Sequence, residues 1–358
     1  MRKLLPVLLA AVLILSGCIH PEHTPPSTET AHTNPATEPA QALTVHYIDV
    51  GQADCALVEC GGEYMLIDSG NIADSSLVVS YLKRQGVERL AALVGSHPHE
   101  DHIGGLPGVL AVFPVEEIYS PTDSFDSECF DDFVRYARKQ NLSITIPEPG
   151  DSFPLGDAQV TVLGPTGTCS EVNDTSLVLD IAFGDTRFLF TGDMELAAET
   201  DMLDYWGEAI PDADVLKVAH HGSDTSTGYR FLRQTAPEYA ILSVGSGNPY
   251  GHPHESVLSR LQDADCTILS TDTLGTILAV SDGSAVTFSW ENIRVNPDAD
   301  PQVSAVYIGN KKSGKFHSED CSSLPAGKNR VLFPSLDSAL EAGYTPCGNC
   351  LGDSRPSP

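Results

Sequence analysis

The chain has 358 residues, and 41% of them are apolar, enough to bury one large core and a smaller one. Its formal net charge of −29 at pH 7 excludes the basic footprint that tight, nonspecific binders of nucleic acid carry. Divalent cations would offset part of that charge locally.

The N-terminus reads MRKLLPVLLAAVLILSGC. Arg2 and Lys3 form a basic start, and Leu4–Leu15 is an apolar run too short to span a bilayer securely. Leu15-Ser16-Gly17-Cys18 resembles a bacterial lipobox, which implies cleavage before Cys18 and lipid on its thiol. Residues 1–18 are thus expected to be a signal peptide, and the mature chain extracytoplasmic and lipid-anchored to the bacterial cell membrane. Residues 19–41 are rich in Thr, Pro, Glu and Ala and read as a disordered tether. No later segment is long and apolar enough to cross a membrane, so the chain is not expected to form a transmembrane channel.

Residues 43–290 alternate between strand and helix patterns. Strands are expected at Thr44–Val50, Ala56–Glu59, Tyr64–Asp68, Leu90–Val94, Ile144–Ile146, Gln159–Leu163, Ser176–Ile181, Phe188–Thr191, Val215–Val218, Tyr239–Val244, Thr267–Ser270 and Val286–Trp290. Helices are expected at Ser75–Gln85, Glu128–Asn141, Glu195–Asp204, Tyr229–Gln234 and Glu255–Gln262. Immediately after the strand Leu90–Val94 comes Ser96-His97-Pro98-His99-Glu100-Asp101-His102-Ile103-Gly104-Gly105. Four metal-competent side chains, His97, His99, Asp101 and His102, fall within six residues. Neither a strand nor a helix period puts them on one face, but a loop leaving a strand can aim all four inward. Imidazole with carboxylate suits zinc, manganese or iron. Gly104-Gly105 is expected to let the backbone turn sharply after the last ligand.

This run resembles the signature of the metallo-β-lactamase superfamily, which binds two metals. Tyr64–Gly70 (YMLIDSG), Phe188–Asp193 (FLFTGD) and Val215–Ser223 (VLKVAHHGS) stand in the order that superfamily uses. The resemblance implies an αββα sandwich, α/β in class. It implies that Asp68 supports a ligand His, that Asp193 bridges both metals, and that His221 or His220 completes the second site. Asn173 and Asp174 stand where many relatives place a His, so either residue, or a water, is left to complete the first site. Gly51-Gln52-Ala53-Asp54, Asn173-x-x-Ser-Leu-Val-Leu, His-His-Gly-Ser and Asn248-Pro249-Tyr250-Gly251-His252-Pro253 are together similar to the extracellular hydrolase domain of ComEC-type competence proteins. That likeness implies a metal-activated water acting on phosphodiesters, DNA among them, with two divalent ions, Zn or Mn. Asp101, His220 and His252 are the candidate catalytic residues. Asn173, Ser223 and Lys217 are the candidate contacts to substrate. Hydrolysis of another bond (a cell-wall phosphoester or a lactam) and a non-catalytic binding lipoprotein remain alternatives.

Residues 291–302 read as a linker, and 303–352 as a small module with a strand Val303–Ile308 and a helix Ser335–Ala342. His317, Cys321, Cys347 and Cys350 fit a tetrahedral structural zinc. The segment resembles the metal-binding domain of Ada-type proteins, although His317 stands where that family uses Cys. A disulfide, Cys347–Cys350 or Cys321–Cys347, is the alternative staple. Cys55, Cys60, Cys129, Cys169 and Cys266 are expected to be buried thiols.

Overall fold

The computed structural model describes residues 42–167, 169–291 and, in the tail, 307–318, 321, 323–325, 329–333, 339, 342–347 and 350. The expected signal peptide, the tether, most of the 291–302 linker and most of the helix 335–342 lie outside the described residues. The chain divides into two units, Met1–Pro39 and Ala40–Pro358, and every described residue belongs to the second.

An eight-stranded and a seven-stranded sheet carry the larger domain. The first runs, in spatial order, Val286–Glu291, Thr276–Ser281, Leu43–Tyr47, Ala56–Cys60, Glu63–Ile67, Leu90–Val94, Val115–Tyr119 and Ile144–Thr145. The second runs Thr267–Ser270, Tyr239–Leu242, Val215–Lys217, Thr186–Phe190, Val178–Phe183, Ala158–Gly164 and Ser152–Leu155. In each sheet one half is an antiparallel meander and the other half is parallel, linked by helices. A parallel sheet covered on both faces needs apolar residues at every position, and these strands have them. Met65, Ile67, Ala92 and Val94 pack toward Phe188, Phe190, Val215 and Ile241 between the sheets. Their neighbours Leu66 and Leu93 point the other way, against Val78, Leu82, Leu106 and Phe133 of the first helix layer. Leu189, Leu216 and Ala240 do the same against Met202, Leu203, Phe231 and Leu261. The result is the αββα sandwich, with three apolar layers between four layers of structure. Each fully buried Leu or Phe contributes roughly 1.5–3 kcal/mol.

The helices follow from local signals. In Glu128–Lys139, Ser127 Oγ accepts from Phe130 N–H at 3.2 Å, Glu128 and Asp131 lie in the first turn, and Arg138 and Lys139 in the last. Cys129, Phe130, Phe133 and Ala137 form its buried stripe. In the larger domain three strands, Val115–Tyr119, Ser152–Leu155 and Thr276–Ser281, and three α-helices, Glu100–Ile103, Leu106–Val112 and Thr271–Leu274, were not expected; the first of these helices carries Asp101 and His102, which were expected in a loop. Val115–Tyr119 carries Glu116 and Glu117 at its centre, and Leu106–Val112 carries Pro107 and Gly108 in its first turn.

Gly104 and Gly105 correct an expectation. Gly104 is a helical C-cap at φ −58° and Gly105 an N-cap at φ −83°, so neither uses glycine's left-handed freedom. A Cβ would instead lie 2.3 Å from Ile72 N at Gly104 and 2.3 Å from Ser69 O at Gly105. The glycines let the ligand loop press onto the backbone that follows Asp68.

The tail forms a four-stranded sheet, Arg330–Phe333, Tyr307–Asn310, Lys315–Ser318 and Thr345–Pro346. Among the described residues of the tail, Phe316 and Ala339 form a buried apolar cluster with Tyr307, Val331 and Tyr344 packed on it.

Candidate metal centre

The ligand residues sit where parallel strands end. Ile67 pairs with Val94, so Asp68 and Gly95-Ser96-His97 leave the first sheet side by side, and Asp68 N–H donates to Val94 O at 2.9 Å. Phe190 pairs with Lys217 and Lys217 with Ile241 in the second sheet. Thr191-Gly192-Asp193, Val218–His221 and Ser243 therefore emerge together, and His220 N–H donates to Gly192 O at 3.1 Å. Leu177 N–H donates to Ser96 O at 2.8 Å and joins the two sheets beside the site.

Asp193 is buried at the centre and presents its two oxygens in different directions. Oδ1 lies 3.3 Å from His102 Nε2 and 3.8 Å from His221 Nε2. Oδ2 lies 3.8 Å from His97 Nε2. His97 Nε2 is in turn 2.9 Å from His99 Nδ1. Asp101 Oδ2 stands 3.4 Å from His221 Nε2 and 4.0 Å from His102 Nε2. One ligand atom from each of Asp101, His102, Asp193 and His221 falls within 4.8 Å of the others.

The outer contacts set the tautomers. His102 Nδ1–H donates to Asp68 Oδ2 at 2.8 Å, and His221 Nδ1–H donates to the Ser243 carbonyl at 2.9 Å. Each Nε2 is then left with its lone pair facing Asp193. Among the described residues, His102 Nε2, His221 Nε2 and Asp193 Oδ1 are buried without a hydrogen-bond partner. Buried polar atoms are normally paired, so three converging orphans of ligating type are what a cation would satisfy. The residues fit a divalent metal.

Electrostatics agree. Burial opposes charge on Asp193, but His102, His221 and His97 outweigh it and hold the carboxyl well below its ordinary value. Burial likewise opposes charge on His221, yet Asp193 and Asp54 raise its pKa to about 10. Asp101 is pulled to about 2, again against burial, by His221 and His102. Without a metal, protons on imidazole balance these carboxylates; a cation would do the same work.

Of the other expected site residues, Asn173 lies on a short 3-10 turn, where its Nδ2 donates to Glu195 Oε1 at 3.2 Å and lies 3.4 Å from His220 Nε2. His252 is half-buried with its ring centroid 5.6 Å from that of His220 and 6.4 Å from that of His221. Burial first, then the neighbouring imidazoles, lowers its pKa to about 4, so it is neutral at pH 7. Lys217 was expected to reach an anionic substrate. It is instead 3% exposed, with Nζ 2.7 Å from Asp54 Oδ2 and donating to Val218 O at 3.0 Å. Its ammonium neutralises Asp54 behind the ligands. Ser223 was expected to contact substrate too, but it is buried, with Oγ 3.0 Å from Thr225 Oγ1 within its own loop. Cys169 and Cys266 are partly exposed, which corrects their assignment as buried; Cys55, Cys60 and Cys129 are buried.

Asp54 was part of a quoted motif but had no assigned role. It lies 3.2 Å from His221 Nδ1 and pairs with Lys217. Ser96 and Glu195 were also missed. Ser96 gives both its N–H and its hydroxyl to Asp68, each at 2.7 Å. No local pattern marks either residue, because their roles depend on the other sheet or on a neighbouring strand end.

In the tail, one ligand atom from each of His317, Cys321, Cys347 and Cys350 lies within 4.8 Å of the others. All three cysteines are free thiols, so the structure contains neither of the disulfides considered. His317 Nδ1 is 3.2 Å from Cys321 Sγ, and its Nε2 is buried without a hydrogen-bond partner among the described residues.

The sequence profile of the metallo-beta-lactamase superfamily matches residues 48–246, more than half of the chain. The chain belongs to the metallo-beta-lactamase superfamily. As a member it is a metal-dependent hydrolase in kind, and the donor set around Asp193 fits that chemistry. Similar proteins include ComE operon protein 3 of Bacillus subtilis, 34% identical over 65% of this chain and 32% of that protein. Competence protein ComA of Neisseria gonorrhoeae is 30% identical over 75% of this chain and 35% of that protein. The chain thus spans about a third of the length of the curated relatives it matches. Among solved structures, the metallo-beta-lactamase fold protein YhfI from Bacillus subtilis is 15% identical with a TM-score of 0.45, covering 70% of this chain and 100% of that one.

Proposed function

We propose that this superfamily member is a two-ion phosphodiesterase acting on nucleic acid, tethered outside the bacterial membrane by lipid on Cys18. The observation that carries the reading is the split of Asp193. Its Oδ1 faces His102, His221 and Asp101, and its Oδ2 faces the His97–His99 pair. One carboxylate serving two separate ligand groups is the donor arrangement of a binuclear site. Divalent ions held there supply Lewis-acid polarisation and activation of water. The chain's own residues do the rest. Asp68 and Ser243 hold the ligating tautomers. Gln52 Nε2 donates to His252 Nδ1 at 3.4 Å, which leaves His252 Nε2 as a donor for a substrate oxygen. Relatives named for competence and, in Haemophilus influenzae, for recombination support nucleic acid as the substrate. In the tail we propose a structural zinc on His317, Cys321, Cys347 and Cys350, because a module of about fifty residues is too small to bury a sufficient core without a staple.

The test is a substrate panel on metal-loaded protein: bis-p-nitrophenyl phosphate, single- and double-stranded DNA, and nitrocefin. Cleavage of the diesters, abolished in Asp193→Ala, is expected. Turnover of nitrocefin with none of the phosphodiesters overturns the substrate class.

A further inference from the structure

His220, expected as the alternative to His221 in the second site, lies outside the Asp101, His102, Asp193 and His221 cluster, yet its Nε2 lies 3.7 Å from Asp193 Oδ2. That is the oxygen facing His97 Nε2 at 3.8 Å, with His99 Nδ1 a further 2.9 Å beyond. The two halves of Asp193 are therefore matched. Oδ1 meets His102 and His221, and Oδ2 meets His97 and His220. Two further observations set His220 apart from an ordinary loop histidine. Its backbone is left-handed, φ 50° and ψ 42°, and so is that of His221, φ 52° and ψ 22°. Such conformations are costly for residues with a Cβ and persist only where surroundings enforce them. Here they aim adjacent side chains at opposite oxygens of one carboxylate. The far nitrogen of His220 is also pinned: Nδ1 lies 3.2 Å from Glu195 Oε1 and 3.2 Å from Thr225 Oγ1. Glu195 in turn accepts from Asn173 and from Thr225. With its Nδ1 proton on Glu195, His220 turns the lone pair of Nε2 toward Asp193, with the Asn173 amide nitrogen 3.4 Å from the same atom. Asp68 does this for His102 and Ser243 for His221.

We propose that His220 is the third imidazole ligand of the ion held by His97 and His99 on Asp193 Oδ2, with Glu195 as its positioning residue, while His221 serves the Oδ1 ion. Asn173 is then a partner of Glu195 and not itself a ligand. This rests on the two-ion reading above, and the experiment separates the two.

The measurement is zinc stoichiometry and affinity on the full-length protein, by elemental analysis after dialysis and by chelator competition. His220→Gly is the chosen variant, because glycine adopts φ 50° without strain, which offsets part of the cost of the lost Glu195 and Thr225 contacts, and thermal melting of the metal-free protein checks that the fold is kept. Wild type is expected to keep two ions in the larger domain and His220→Gly one, with added imidazole restoring the second. Glu195→Gln should keep both but bind one of them about 10–100-fold more weakly. Retention of both ions by His220→Gly at wild-type affinity overturns the assignment and leaves the two-ion reading standing. Loss of both ions overturns the division of ligands between the two oxygens. Fewer than two in the wild-type domain overturns the assignment and the two-ion reading together.

Discussion

Asp68→Asn isolates the hydrogen bonds that hold His102 in place. Asp68 is 1% exposed and takes three of them: Oδ1 from Ser96 N–H at 2.7 Å, and Oδ2 from Ser96 Oγ–H at 2.7 Å and from His102 Nδ1–H at 2.8 Å. Its backbone is left-handed at φ 58°, a conformation asparagine tolerates as well as aspartate, so the backbone contributes little to the difference. An asparagine oxygen can still accept from Ser96 N–H, and its NH₂ can turn toward Ser96 Oγ. That NH₂ then confronts His102 Nδ1–H, donor against donor. The conflict is relieved if the His102 proton moves to Nε2, where it points at Asp193 and removes the lone pair a metal requires. Loss of such an outer partner weakens metal binding about 10–100-fold, which is about 1.4–2.7 kcal/mol. Zinc competition against a chromophoric chelator reads this directly. Only the ion on the Asp193 Oδ1 side should weaken. Wild-type affinity for both ions in Asp68→Asn would refute the tautomer argument.

Three further outcomes are expected. Lys217→Met leaves Asp54 buried with its ammonium partner gone, which should cost about 3–5 kcal/mol in urea unfolding of metal-free protein; a loss below about 1 kcal/mol would mean the pair is solvated. Cys347→Ser with Cys350→Ser should remove one zinc from the whole chain and expose Cys321 to a thiol reagent; unchanged zinc content would exclude the tail site. Glu199 is buried and accepts from Thr227 and Gly228 N–H, and burial raises its pKa to about 7 from 4.5. Its folded-state pKa is above its unfolded value, so its contribution is present below about pH 4.5 and lost as pH rises through about 7. Glu199→Gln should flatten that part of the stability–pH curve, and an unchanged slope would count against it.

Much of the fold was legible because its strands are buried on both faces and read as apolar runs. Leu90–Val94 and Thr267–Ser270 fall where the sequence placed them. The misses have causes. Glu116 and Glu117, both exposed, interrupt the apolar run of Val115–Tyr119, and Pro107 hides a helix that tolerates proline in its first turn. The strands expected at Phe188–Thr191 and Val215–Val218 each end one residue earlier, at Phe190 and Lys217. Val218 and Thr191 are apolar or β-branched and look like strand, but the chain has already turned to deliver His220 and Asp193.

The same contrast governs the metal centre. His97, His99, Asp101 and His102 were readable because one short stretch of chain carries them all, the last two on the helix Glu100–Ile103 with His99 as its N-cap, so their spacing is the signal. Lys217 was misjudged for the converse reason. A lysine beside two histidines suggests an anion site, and only the register Phe190 to Lys217 to Ile241 shows that it lies inside, 2.7 Å from Asp54 of the other sheet. His220 and His221 pose the hardest case. Two adjacent histidines in an extended or right-handed segment would diverge, and one of them would be idle. The paired left-handed backbone makes both face Asp193, and that conformation has no glycine at either position to announce it. What the sequence could not show is therefore a division of labour. Whether the two imidazoles serve one ion or two depends on which oxygen of a distant carboxylate each one meets, and that is a property of how the second sheet aligns its strand ends.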